Sequence, residues 1–387
     1  MSQQLIRKVP IEAAAASVAG SATAVAGAGA SGTLRLEGVV KRYGDRVALD
    51  AVSLALPGDE YVSLLGPSGS GKTVLLRVIA GFEPPDAGRV VLGGQPIDAV
   101  AAHRRGIGFV FQNFALFPHL SVQDNVAFGL AHGAVRPDAG QASGQRERVR
   151  AMLELVGLAG LEQRGVHQIS GGQRQRVALA RTLVTQPRLV LLDEPLGALD
   201  ANLRARMRAE LRAIRERLGV TFLHVTGSET EALAMGDRVL VLDRGRIVQA
   251  GAPQAVHAQP ASPDVARFLN CYNIFPGTLA DGTFDARGAR LPMPRQVTRA
   301  AQAAYAIRHD LVSFAAPGQA VPEGRAWVDA RFVTSEYSGA AVRFFFERDG
   351  GQVLEVDRHL AHDRPAEPQP GSVCRLHWNA ADAVVYG

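Results

Sequence analysis

Apolar positions in the first two-thirds of the chain switch between a spacing of two and a spacing of three to four. TLRLEGVVKRYG, from Thr33, alternates so that Leu34 and Leu36 share a face and Val39 begins another short strand. Asp50 to Leu56 continues the alternation, Pro57 and Gly58 turn the chain, and Tyr61 to Leu65 is an apolar strand. A helix is predicted over Lys72 to Ala80, closed by Gly81, Pro84 and Pro85, then a strand from Val90 to Leu92 and a buried one from Phe109 to Phe111. Helical spacing returns at Arg146 to Val156, after Ser170 (Val177, Ala180, Leu183, Val184) and after Asp200 (Leu203, Met207, Leu211, Ile214, Leu218). Leu189 to Leu192 is an unbroken aliphatic run, as expected of a central parallel strand buried on both faces. Thr221 to Thr226 and Arg238 to Leu242 are further strands, the second followed by an Arg244-Gly245-Arg246 turn. Beyond Pro263 the pattern becomes short alternating strands, with Ala326, Val328, Ala330 and Phe332 on one face and Val342, Phe344 and Phe346 on another, ending at Cys374, Leu376 and Trp378. An α/β unit followed by a small all-β unit is the expected architecture.

Composition changes this picture at the ends and at one loop. The chain has 387 residues, enough for roughly two to three units. Residues 1–32 are dominated by Ala, Gly and Ser, with too few large apolar side chains to build a core, and too weakly hydrophobic for a signal peptide; a disordered extension is expected. Residues 134–145 read as a polar, Gly-rich surface loop. No run of about 18 strongly apolar residues suggests a membrane span. Cys271 and Cys374 lie far apart, carry no metal-ligand spacing and read as structural. The net charge of +5 comes from Arg dispersed beside Glu and Asp, which fits solvated helix faces better than a nucleic-acid surface.

The candidate chemistry centres on LLGPSGSGKTVLLR, from Leu64 to Arg77. Gly66, Gly69 and Gly71 let the backbone turn so that successive N–H groups face an anion, and the following helix adds its positive end. Lys72 reaches β- and γ-phosphates, and the Thr73 hydroxyl is placed for magnesium. Ser170, with Gly171 and Gly172 behind it, opens a second helix N-terminus suited to an anion. Asp193 and Glu194 end the aliphatic strand where ligands sit in open α/β sheets: the first can hold magnesium through water, the second can take a proton from an attacking water. Gln112 follows a strand, where its amide can touch a metal or its water. Tyr43, on a turn between strands, reads equally as a surface residue or as a stacking platform for a base. The cluster Phe114, Leu116, Phe117 and Leu120 suits either core packing or a docking surface.

Together, GPSGSGKT, VFQNFALFPHLSV, ISGGQ, LVLLDEP and GALD resemble, in order and spacing, the ATP-binding subunit of an ABC importer. The resemblance covers residues 33 to about 265. It implies a P-loop NTPase domain of ABC type over 33–265, with a helical subdomain at about 113–168, and a carboxyl-terminal β-barrel regulatory domain, similar to TOBE domains and OB-like, over 266–387. ATP and Mg2+ are the implied cofactors. Gly66, Pro67, Ser68, Gly69, Ser70, Gly71, Lys72, Thr73 and Val74 would bind ATP, with Tyr43 stacked on adenine. Glu194, Lys72 and Gln112 would be catalytic, and Thr73, Gln112 and Asp193 would hold the metal. Two copies would pair head to tail, so that Ser170, Gly171, Gly172 and Gln173 complete the partner's site and Asp200 links the two sites. The implied partners are a second copy, transmembrane permease subunits and a separate solute-binding protein, at the cytoplasmic face of the inner membrane; no nucleic acid is expected. Importers with such a β domain carry polyamines, ferric iron, sulfate, molybdate and sugars. The sequence departs from the pattern twice. Val74 replaces a hydroxyl residue, removing a hydrogen bond worth about 1 kcal/mol, and Gly227 stands where VTHDQ-like segments carry the switch histidine. His224 is an odd number of residues away and faces the other side of its strand. The missing imidazole leaves a second reading, a hydrolysis-poor nucleotide-binding regulatory module.

Overall fold

The structure is a computed structural model that describes residues 34–132, 142–197, 199–280, 283–293, 303–315, 319, 322–361 and 366–387. The expected Ala/Gly-rich extension, most of the 134–145 loop and Ala198 of the GALD stretch lie outside the described residues. Along the chain come β1 (Leu34–Tyr43), β2 (Arg46–Leu56), β3 (Tyr61–Leu65), α1 (Lys72–Ala80), β4 (Ala87–Leu92), β5 (Gln95–Pro96) and β6 (Ile107–Val110). Then follow α2 (Val122–His132), α3 (Ala142–Leu155), α4 (Gly171–Leu183), β7 (Leu189–Asp193), α5 (Ala201–Leu218) and β8 (Thr221–Thr226). The α/β part closes with α6 (Glu229–Met235), β9 (Arg238–Asp243), β10 (Arg246–Gly251), α7 (Pro253–Ala258) and α8 (Pro263–Phe268).

A six-stranded sheet in the order β10-β9-β3-β8-β7-β6 carries the site. All neighbours from β9 to β6 are parallel, and every residue of β3 and β8 is buried. Their unbroken apolar sequences follow from this, because helices cover both faces of a parallel sheet. Leu65 pairs with Thr226 and Asp193 with Val225, so the carboxyl ends of β3, β8 and β7 lie side by side. A second, antiparallel sheet, β2-β1-β4-β5, packs its Leu34, Leu49, Val52 and Val90 against α1 and the central strands. Helices α2, α3 and α4 pack through Val126, Val149, Leu153 and Val177.

Several boundaries differ from the sequence reading for local reasons. Leu34 to Tyr43 is one strand, not two, because the extra length at Gly38, at φ 59°, is absorbed as a bulge. β6 stops at Val110, and Phe111 is 38% exposed, stacked on Phe82 at 5.9 Å. α3 begins at Ala142, inside the stretch expected to be loop. The spacing of Val122, Val126 and Leu130 makes α2 a helix that the reading passed over.

The carboxyl-terminal part contains β11 (Tyr272–Ala280), β12 (Thr283–Asp285), β13 (Arg290–Pro292), β14 (Ala303–Arg308) and β15 (Ser313–Ala315). It ends with β16 (Ala326–Tyr337), β17 (Ala341–Arg348), β18 (Gln352–His359), β19 (Val373–Trp378) and β20 (Val384–Tyr386). Two antiparallel sheets, β13-β12-β11-β14-β20 and β15-β19-β16-β17-β18, share a core of Phe275, Phe284, Tyr305, Phe332, Phe346 and Trp378. The Trp378 indole stacks on Phe275 at 5.6 Å and donates to the Tyr305 hydroxyl at 2.9 Å. This part is fastened to the α/β part by two hydroxyls, Tyr272 donating to the His257 carbonyl and Tyr386 to the Pro260 carbonyl. Between them Tyr272 and Ala306 pack with Leu65, Ala232 and Val256.

Trp378→Ala should destabilise the carboxyl-terminal part by about 3–5 kcal/mol, since it removes a fully buried ring and orphans the Tyr305 hydroxyl. Chemical denaturation followed by circular dichroism should show an early transition, with nucleotide binding by the remainder retained. A single unshifted transition would contradict the packing described.

Candidate functional site

Between β3 and α1, residues 66–73 wrap around the start of the helix. A Cβ on Gly66 would lie 2.1 Å from the Leu242 carbonyl oxygen, and one on Gly71, at φ 106°, 2.5 Å from that of Ala48. Neither position admits a side chain, because the loop is pressed against β9 and β2 to shape its inner face. Loop bonds from Ser70 N–H to the Pro67 carbonyl and from Gly245 N–H to the Ser70 carbonyl fix it further. Lys72 is 8% exposed, and its ammonium donates to the Gly66 and Pro67 carbonyls at 2.7 and 2.9 Å. Burial lowers its pKa, while Glu194 and Asp193 pull the other way. Val74 turns onto the aliphatic core between the sheets, which gives its apolar side chain a packing role.

Two hydrogen bonds reach the neighbouring strand end, one from the start of α1 and one from the segment after β6. Thr73 Oγ1 donates to Asp193 Oδ1 at 3.4 Å, and Gln112 Nε2 donates to Glu194 Oε2 at 3.2 Å. Burial, with Glu194 next, raises the pKa of Asp193. Glu194 itself sits at φ 44°, a left-handed conformation unusual for a carboxylate residue, held by its N–H on the Val225 carbonyl. A hydroxyl and two carboxylates at one edge form an oxygen donor set suited to a hard divalent cation, which binds through few protein ligands when phosphates supply the rest. The buried Ser70 hydroxyl has no protein partner and lies in the same loop.

The remaining predicted residues lie apart from this group. Ser170 caps α4, accepting from Gln173 N–H at 3.3 Å, while the Gln173 side chain accepts from Ser170 N–H at 2.8 Å. Gly171 and Gly172 have Leu199 and Leu203 as nearest neighbours, not the phosphate loop of the same chain. Asp200 caps α5 through Leu203 N–H at 2.9 Å. Tyr43 closes β1, 47% exposed, its hydroxyl donating to Glu83 and its ring lying under Lys41; burial and Glu83 push its pKa up to about 12. Ser68 and Gly69 are exposed on the loop.

Gly227 follows β8 and is exposed, and a Cβ there would meet no atom within 4 Å. His224 is fully buried in the opposite direction, 3.3 Å from the Tyr61 hydroxyl, with its pKa lowered to about 3 by burial. Sequence reasoning missed Glu231, buried beside it and bonded to the Thr226 hydroxyl at 2.9 Å. The signal was Ser228-x-x-Glu231, a capping pattern in which Ser228 accepts from Glu231 N–H.

A groove of about 1340 Å3 is lined by Phe109, Phe111, Phe117 and Phe128 together with Arg104 and Arg181. Phe114 of the apolar cluster is buried, while Phe117 is half-buried and opens onto the groove. Arg181 holds the loop in place through the Ala115 and Phe114 carbonyls at 2.7 and 2.9 Å. Asn125 brackets Phe117 through its N–H and carbonyl.

The ABC transporter family matches residues 49–197, and the TOBE domain family matches residues 305–386. The Fe(3+) ions import ATP-binding protein FbpC of Streptomyces avermitilis is 50% identical over 262 residues, covering 67% of this chain and 74% of that protein. The sulfate/thiosulfate import ATP-binding protein CysA 1 of Chromobacterium violaceum is 43% identical over 353 residues, covering 90% and 96%. Among solved structures, the dimeric post-hydrolysis ATP-binding cassette MJ0796 with ADP and Pi aligns with a TM-score of 0.50 at 31% identity, covering 57% of this chain and 98% of that one. CbiO1 of Clostridium perfringens, part of an ABC transporter complex, aligns with a TM-score of 0.53 at 31% identity, covering 61% and 94%.

The buried imidazole predicts an acid dependence of stability. Below pH 6.5 the unfolded chain takes a proton at His224 that the folded chain refuses until about pH 3. Its contribution is therefore complete above pH 6.5 and is lost as pH falls toward 3, at up to about 1.4 kcal/mol per pH unit. Denaturation midpoints measured across this range should fall less steeply in His224→Phe than in the natural protein; parallel curves would show that the ring is not buried neutral.

Proposed function

The chain belongs to the ABC transporter ATP-binding family and is the ATPase subunit of an importer; from that membership we propose the following roles for its residues and partners. The observation that carries the reading is the meeting of Lys72, Thr73, Asp193, Glu194 and Gln112 across the ends of β3 and β7. Lys72 exchanges the Gly66 and Pro67 carbonyls for the β- and γ-phosphate oxygens of ATP, with backbone N–H groups of the loop around them. Tyr43 offers its ring to the adenine. Thr73, Asp193 and Gln112 would hold Mg2+, which when bound neutralises developing phosphate charge. Glu194 orients and deprotonates the attacking water, and Gln112, hydrogen-bonded to it, senses the γ-phosphate.

Two copies pair head to tail, with Ser170 to Gln173 of each completing the nucleotide site of the other and Asp200 lying between the sites. A Cβ added at Gly171 or Gly172 would meet Leu199 or Leu203 and no atom of the phosphate loop within 4 Å, which fits this pairing. Residues 33–265 form the ATP-binding domain, the helices near 113–168 its helical subdomain, and 266–387 a regulatory domain. Among the described residues no helix is long and apolar enough to cross a membrane. By the family reading, the pore is supplied by permease subunits that dock in the aromatic groove near Phe117, with the protein peripheral at the cytoplasmic face and a separate solute-binding protein outside. Relatives named for Fe(3+) import and for sulfate/thiosulfate import each cover nine-tenths or more of this chain, which supports solute choice by other subunits. Nothing in the comparisons favours the regulatory-module reading.

Lys72→Ala should abolish ATP binding and turnover, and Glu194→Gln should bind ATP and accumulate as a dimer at saturating MgATP. Light scattering of the second variant, alone and with permease subunits, checks the pairing; a persistent monomer in both would remove the head-to-tail arrangement. Gly227→His adds a side chain in open space beside the β8 end. It should raise single-turnover hydrolysis by about tenfold or more, with ATP affinity nearly unchanged. A variant no faster than the natural protein would mean that the charge is already stabilised by another group.

A further inference from the structure

Arg204, in the first turn of α5, stands between two segments that serve different nucleotide sites in the head-to-tail pair. Its Nη2 donates to the Leu199 carbonyl at 3.1 Å, immediately before Asp200. Its Nε faces Glu231 Oε1 on α6 at 3.6 Å. The other Glu231 oxygen accepts from the Thr226 hydroxyl at 2.9 Å, and that hydroxyl in turn accepts from Ser228 N–H at 3.0 Å. Ser228 Oγ returns to Glu231 N–H at 3.3 Å. The turn from Thr226 to Ser228, at the γ-phosphate end of the chain's own site, is thus tied to the Leu199–Asp200 segment that reaches the partner's site.

Glu231 is only 5% exposed, and the groups that face it are Arg204, the Thr226 hydroxyl and the neutral His224 ring at 4.0 Å. Pulling Arg204 away would leave a buried carboxylate without a counter-charge, which is far more costly than stretching a surface pair. A second tie, from Arg212 Nη1 to the Ala234 carbonyl at 3.1 Å, joins the middle of α5 to the end of α6. Helices α5 and α6 therefore shift together. Gly227 brings no side-chain contact of its own, so the placement of that turn rests on the bonds around it.

We propose that Arg204 and Glu231 are positioning residues that couple the two nucleotide sites, carrying a displacement of the Leu199–Asp200 segment to the Thr226–Ser228 turn. The proposal rests on the head-to-tail reading. A purely structural tie between α5 and α6 would affect stability and leave the dependence of rate on ATP concentration unchanged in shape.

The test compares the full chain with its permease subunits in the natural form and as Arg204→Met, Glu231→Gln, the double variant and Arg204→Lys. In the natural complex the Hill coefficient for ATP hydrolysis should exceed 1. Each single variant should bring it to 1 and lower saturated turnover by about fivefold or more, with the double variant no worse than either. Arg204→Lys keeps a cation beside Glu231 but cannot also reach the Leu199 carbonyl. It should therefore melt close to the natural protein and still lose cooperativity. A natural Hill coefficient of 1, or variants that melt earlier with an unchanged coefficient, overturns the proposal. Light scattering in the Glu194→Gln background separates the two levels: pairing with unchanged cooperativity removes the coupling alone, whereas no pairing removes the head-to-tail reading and the coupling with it.

Discussion

The parallel register of β3, β8 and β7 is the constraint on which the rest of the molecule depends. Because Leu65 pairs with Thr226 and Val225 with Asp193, three strand ends are fixed side by side by backbone pairing, and the side-chain bonds of Thr73 to Asp193 and Gln112 to Glu194 follow from that placement. The strands are fully buried, so a slip of one residue would strand His224 or Ser63 among mismatched neighbours and move Glu194 off its anchor on Val225. The geometry of the site is inherited from hydrogen bonds in the sheet core, while its chemistry is carried by a few polar residues just past the ends of the strands.

That division explains what could be read without coordinates. Tyr61 to Leu65 and Lys72 to Ala80 were placed to the residue, since a continuous apolar run and a helix bounded by glycine each have few alternatives. Phe111 was misassigned because Phe109-Val110-Phe111 looks like an apolar core run, whereas its last residue stacks on Phe82 at the surface. The phosphate loop and the two carboxylates were legible as strings. The Arg204 and Glu231 pair was not, because it links residues on separate helices and each alone resembles ordinary surface charge.

The departures from the family pattern are of different physical kinds. Val74 exchanges a hydrogen bond for packing on an aliphatic cluster, a nearly balanced trade. Gly227 exchanges a side chain for open space, and nothing in its neighbourhood has closed over it. The buried histidine three residues earlier is no stand-in: it is held neutral by burial, with Nδ1 on the Tyr61 hydroxyl at 3.3 Å and Nε2 4.0 Å from Glu231.

The aromatic groove has a cost for the cell that makes the subunit. Phe111 and Phe117 lie where water reaches them, in a groove that Arg104 and Arg181 also line, and these cations offer a ready anchor for stray acidic segments. Contiguous apolar surface of this kind is adhesive in a crowded solution. An orphan copy, synthesised beyond the supply of its membrane counterpart, would be the species most exposed to aggregation and proteolysis. Stoichiometric synthesis of the complex is therefore a demand written into the shape of this one subunit.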